Sequence, residues 1–248
     1  MITWEGWHIL NGDALREKFI AHDISASVIT MREALIDGPV HQRIDDLFFK
    51  RRAEFIERSF EGNRSQYNEL VVNELAKVRE IDPTSDINLW FENDLFCQTN
   101  LWFILKYLRN AGRDRNLFRI LPEKWAGFGR WSASELKHGF VSRIALNSDD
   151  VSLGIELWNA FSHSDIDAFF ALSQTPSVAF PHLDEVVLAH IQRSPVEGEG
   201  RPQRVLRELV ASGVTDFPTL FQRFTDREAI YGFGDVQVRN ILKTITRR

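Results

Sequence analysis

Two rhythms of apolar residues divide this chain. Residues 7–10, 27–31, 87–91 and 117–121 are short continuous apolar runs, which predicts strands buried on both faces. Between them apolar residues recur three and four apart, the spacing of one helix face. That predicts helices over residues 14–21, about 42–60, about 66–78, from Leu95 onward, and after Ser132. Glu135, three residues beyond Ser132, completes a capping-box signature. Strands alternating with helices imply an α/β fold, a mainly parallel open sheet with flanking helices of the Rossmann-like kind.

Near residue 147 the strand rhythm stops. Helical spacing continues over residues 150–161, 164–172, 183–192, 204–211, 218–224 and 236–245, broken at Pro176, Pro195, Gly198, Gly200 and Gly213. The expectation is an α/β domain over residues 1–147, then a smaller all-helical domain over residues 148–248. Its last helices are compatible with a winged-helix-like arrangement.

The stretch 86–109 joins both rhythms. Its strand turns at Glu92-Asn93-Asp94 and continues into a helix through Leu95, Phe96, Leu101, Trp102, Leu105 and Leu108. Asp94 stands at the N-cap, where a carboxylate accepts free backbone N–H groups. Residues 7–21 repeat the layout, with Asn11-Gly12-Asp13 as the turn and Asp13 at the cap; Gly12 permits a positive φ or a close backbone approach. The second strand ends in Arg32-Glu33. Ligands bind outside the carboxyl ends of strands in open parallel sheets. The candidate catalytic carboxylates are therefore Asp13, Glu33, Glu92 and Asp94, with Glu123 a further rim candidate. His8, Asn11, Gly12, Arg32, Cys97 and Gln98 are the candidate ligand-binding neighbours. Arg51, in the run Lys50-Arg51-Arg52, is placed to meet an anion from a cover formed by the helices over residues 42–78.

Composition narrows the classes. With 44% hydrophobic and 26% charged residues, 19 Phe and 7 Trp, a disordered chain is excluded. No apolar run reaches the roughly 18 residues that cross a bilayer, and the first ten residues lack a basic region and cleavage site, so a cytoplasmic location is expected. A single cysteine excludes an internal disulfide and a zinc site built from cysteines. The net charge of −5 argues against indiscriminate nucleic-acid binding. Residues 201–248 nevertheless carry nine Lys/Arg against five Asp/Glu, a net of +4 that leaves −9 for the rest.

Three chemistries suit the strand-end cluster. Glu92 and Asp94 can hold a divalent cation such as magnesium, bridged to a substrate phosphate. A carboxylate crowded by others can serve as general base with a raised pKa. Cys97, at the third position of its helix, can act as a nucleophile if the helix dipole lowers its pKa. Against these stand plain structural roles: Asp13 and Asp94 as caps, Arg32-Glu33 as an internal ion pair, His8 as a core histidine and Cys97 as a small buried hydrophobe.

Several spaced motifs also carry a family resemblance. The segments from His8 to Asp13, from Arg32 through Glu33 to Gly38-Pro39, and from Leu89 through Glu92 and Asp94 to Gln98 resemble the marks of the bacterial domain of unknown function 1835 family. Leu157-Trp158, Phe180 to Leu183 and Gly234-Asp235 resemble its helical C-terminal companion, so the likeness spans nearly the whole chain. It departs at Cys97, where the family pattern has Asp, and at Asn93, where it has His. The resemblance implies a role that does not need the thiol.

Two function classes follow. One is an enzyme, with hydrolase or transferase chemistry, acting on a small phosphorylated or nucleotide-like ligand. The other is a ligand-sensing DNA-binding or regulatory protein using the basic C-terminal helices. The enzyme reading is preferred, because the last helix offers Arg239, Asn240, Lys243, Arg247 and Arg248 mainly from its C-terminal half, whereas recognition helices read bases from their N-terminal residues.

Overall fold

The structure is a computed structural model that describes residues 3–60, 62–195 and 197–246. Five strands form one sheet: β1 (Trp7–Asn11), β2 (Ser27–Met31), β3 (Ile87–Trp90), β4 (Leu117–Ile120) and β5 (Ile144–Ala145). Their order is β2-β1-β3-β4-β5, parallel except for the antiparallel β4–β5 pair. The α/β reading thus holds, with the apolar run 87–90 as the central strand and every residue of it buried. Only the two-residue β5 has no counterpart in the strand pattern.

Alternation along the strands gives each sheet face its own core. Leu10, Trp90 and Ile120 point to one face, covered by α1 (Asp13–Ala21) and α6 (Ala133–Val141) through Leu15, Phe19, Leu136 and Phe140. Ile9, Ile87, Leu89 and Leu117 point to the other. There α5 (Leu95–Asn110) lies, apolar around most of its girth, as a helix with neighbours on all sides must be. The capping box of Ser132 and Glu135 forms as expected and starts α6.

The cover between β2 and β3 is less regular than its spacing predicts. After α2 (Asp46–Ser59) come α3 (Arg64–Tyr67), a π-helical turn (Asn68–Val72), α4 (Asn73–Ala76) and a 3-10 turn (Lys77–Glu80). The π turn has a use: the Leu70 carbonyl accepts from Arg32 Nη1 at 3.0 Å. Glu74 of α4 accepts the backbone N–H of Thr30 at 3.0 Å, which pairs a donor on the edge strand β2.

From residue 148 every element is helical among the described residues: α7 (Ser148–His163), α8 (Ile166–Ser173), α9 (Leu183–Arg193), α10 (Arg201–Ala211), α11 (Phe217–Arg227) and α12 (Asp235–Thr246), with a 3-10 turn at Ala229–Tyr231. Among the described residues there, no strand is present to form a wing. One apolar cluster runs from Ile9 to Ile245, with α7 packed along α5, and the element type changes near residue 147. No helix among the described residues is long and apolar enough to cross a membrane.

Candidate functional site

Strand order decides where a crevice can form. With β1 and β3 adjacent, the chain leaves β1 toward β2 on one side and leaves β3 toward β4 on the other. Their carboxyl ends flank the switch point, where doubly wound sheets bind ligands. Asn11-Gly12 ends one strand and Glu92-Asn93-Asp94 follows the other. Gly12 takes φ 94°, a conformation that suits glycine, while its N–H bonds Met31 O at 2.9 Å and its position caps α1. Asp94 caps α5, with Oδ1 accepting the Cys97 N–H at 2.9 Å. Gln98 Nε2 donates to the Glu92 carbonyl at 2.7 Å and pins the turn.

Within this frame Glu92, Asp94 and Cys97 converge, their O and S atoms all within 4.8 Å of one another. Cys97 Sγ donates to Glu92 Oε2 at 3.1 Å, and the Phe128 N–H donates to Glu92 Oε1 at 3.1 Å. A relay fixes the polarity of Asn11. The Leu35 N–H donates to Asn100 Oδ1 at 3.3 Å, so Asn100 presents Nδ2 to Asn11 Oδ1 at 2.9 Å and to Glu33 O at 2.7 Å. Asn11 is left with Nδ2 toward Cys97 Sγ, 3.0 Å away. The sulfur therefore meets a donor on one side and a carboxylate on the other.

The helical part closes the site. Gly232 has φ 63°, and a Cβ there would overlap the Asp94 carboxylate. From β4, buried Arg119 donates to Glu92 O at 3.3 Å and Asn93 Oδ1 at 3.0 Å, and also to Ala179 O, tying the turn to the loop between α8 and α9. Asn93 completes the tie by donating to Pro122 O at 3.2 Å and Lys124 O at 3.0 Å.

Burial sets the electrostatics. It pushes the Glu92 pKa up to about 7, helped by the neighbouring Asp94 charge and opposed by the bonds from Cys97 and Phe128. Asp94 is raised by burial against the pull of its cap bonds. The Cys97 thiol is pushed well above its ordinary value by burial, then by the charges of Asp94 and Glu92. The helix-dipole argument for a reactive thiolate fails here, because desolvation and two carboxylates outweigh a partial charge. Burial lowers Arg119 to about 9, while Cys97, Glu92 and Asp94 favour its charged form.

The other candidates lie elsewhere. Asp13 is the first residue of α1 rather than its cap, and its exposed carboxylate takes Arg32 at 2.8 and 2.9 Å. Glu33 pairs not with Arg32 but with Arg52, at 2.7 Å and with both side chains fully buried; Tyr67 Oη donates to it as well. This pairing removes it from the Glu92 group. Arg52 is consequently turned inward, whereas Arg51 stays exposed. His8 is buried on the α1–α6 face among Trp4, Phe19, Trp90 and Phe140, its Nδ1 accepting from Trp90 Nε1 at 3.1 Å and its pKa lowered to about 4 by burial. It is a core histidine, not a ligand. Glu123 is exposed.

Sequence reasoning passed over Asn100, Arg119, the Phe128 amide and Gly232. Asn100 and Arg119 had a signal, each a polar residue inside an apolar element. Gly127-Phe128-Gly129 and Gly232-Phe233-Gly234 lack the full dinucleotide fingerprint; here one supplies a backbone donor to Glu92 and the other a close approach to Asp94. Compared with protein-family models the chain matches none, and a search of curated proteins finds no match.

Proposed function

We propose that this protein is an enzyme that transfers a proton to or from a small phosphorylated or nucleotide-like ligand at the β1–β3 switch point, with Glu92 as the working group. The observation that carries the reading is a half-buried glutamate at a strand end, bonded to the Cys97 thiol and the Phe128 amide, with its pKa raised to about 7 and no salt bridge among the described residues. A general acid–base group works best with a pKa near the operating pH. Asp94 keeps Glu92 protonated longer and holds α5 in place; Cys97 and the Phe128 amide aim the carboxyl. Hydrolase or transferase chemistry suits such a group. The resemblance to the domain of unknown function 1835 family supports the same strand-end residues, and a cytoplasmic setting belongs to the same reading.

A cation held by Glu92 and Asp94 would have the Cys97 sulfur as third neighbour. A soft donor suits zinc better than magnesium. Arg119 already offsets part of the negative charge, so the cluster does not require a dication, and acid–base work is preferred. The DNA-binding alternative has less support, because α12 is held to the α/β part by Gln237 on Asp37 at 2.8 Å and Asn240 on Ser59 O at 3.2 Å.

The test is Glu92→Gln, screened beside the wild type for turnover of phosphorylated and nucleotide-like compounds. A loss of about 10²–10⁴-fold with an unchanged melting temperature is expected. Turnover within a few-fold of wild type removes Glu92 from the chemistry. Mobility shifts with generic DNA at low salt, without ligand turnover, would favour the alternative.

A further inference from the structure

A groove of about 810 Å³ opens where α2, the loop after β2 and the end of α9 meet α12. Its walls carry four cations, Arg58, Arg193, Arg239 and Lys243, against two carboxylates, Asp37 and Asp235. Both carboxylates are engaged. Asp37 takes Arg193 at 2.9 Å and Gln237 at 2.8 Å, while Asp235 lies 3.8 Å from Arg239. Arg58 donates Nε to the Glu54 carbonyl at 3.0 Å and its ion pair with the Glu54 carboxylate is a loose 3.7 Å, while Lys243 forms no ion pair among the described residues. In a chain of net charge −5 this is a local reversal of sign, suited to drawing in an anion.

One further observation describes the occupant. Phe55 and Phe60 supply a half-buried aromatic side, their rings edge to face at 5.8 Å.

We propose that this groove binds a phosphorylated small molecule that carries an aromatic ring, the nucleotide class. Phosphate oxygens answer Arg58 and Lys243, and the ring packs on the phenylalanines. This is a second site, apart from the Glu92 cluster. The two are joined by one short stretch, with Gly232 against Asp94 and both Phe233 and Gln237 in the groove wall.

Calorimetric titration of the whole chain with ATP and with inorganic pyrophosphate tests it. ATP should bind one per chain, at least tenfold more weakly in the Arg58→Glu/Lys243→Glu double variant and equally well in Glu92→Gln. Pyrophosphate, lacking the ring, should bind more weakly than ATP. Both substituted residues are exposed, so the fold tolerates the change. Absence of ATP binding, or binding that survives the double charge reversal, overturns the proposal. Binding lost in Glu92→Gln does too, since it would put the ligand at the reaction centre. A DNA duplex held through Arg58 and Lys243 by a protein that ignores ATP also overturns it.

Discussion

Glu33 and Glu92 each follow a parallel strand of one sheet, and the fold treats them in opposite ways. Glu33 is fully buried against the Arg52 guanidinium, with Tyr67 and the Ala34 N–H completing its bonds. Glu92 has a thiol, a backbone amide and another carboxylate for neighbours, and its pKa rises to about 7. One carboxylate holds the β2 end to α2 and α3; the other is left able to gain and lose a proton. The lesson concerns surroundings: Glu33 is locked in a direct ion pair, whereas the Glu92 carboxylate, with Arg119 bonded only to its backbone carbonyl, is not.

The largest effect should come from breaking the matched side. Arg52→Ala leaves Glu33 buried without its countercharge, and a stability loss of about 3–5 kcal/mol is expected in denaturant unfolding. A loss under about 1 kcal/mol would mean that the pair is replaceable and the contrast with Glu92 shallow.

Next comes the titration of the unmatched side. Glu92 has a folded pKa above its unfolded value, so the folded state holds the proton more tightly. Its stabilising contribution is present below about 4.5 and is lost as pH rises to about 7. Stability should fall across that window by up to about 3 kcal/mol, and raised Asp94 adds in the same direction. In Glu92→Gln the slope should flatten. An identical slope in wild type and variant would show that Glu92 does not titrate there.

A smaller effect is expected where the helical part touches the cluster. Gly232→Ala sets a methyl against Asp94 in a backbone conformation that disfavours side chains, and about 1–3 kcal/mol should be lost. Wild-type stability in that variant would show that the closure is loose. The smallest concerns Asp94 itself. Asp94→Asn keeps the cap, since Asn serves as well as Asp, so the melting temperature should hold within a degree or two, about 0.5 kcal/mol or less. The pH slope should shift because Glu92 loses its acidic neighbour. A large drop in melting temperature would mean that the charge, not the cap, holds the turn.

Much of this was legible in the chain. Buried strands and amphipathic helices follow from local periodicity, which needs no knowledge of partners, and the N-cap at Asp94 and the capping box at Ser132 follow from local backbone donors. The turn Glu92-Asn93-Asp94 with Cys97 and Gln98 is one short segment, so its members are neighbours in any fold that forms it. The pairing of β4 with β5 escaped because two residues carry no period.

What the sequence could not assign were the partners across distance. Arg32 and Arg52 are both basic, and only the packing of α2 and α3 over β2 decides that Arg52 meets Glu33 while Arg32 reaches Asp13. The direction of the Cys97 shift depends on burial and on two carboxylates brought within a few ångströms, which outweigh the local helix dipole. Gly232 is 138 residues from Asp94, yet it forms the wall of that carboxylate. Local pattern fixes elements because their hydrogen bonds close within a few residues; the charge state of a buried group is set by whichever distant residues the core brings beside it.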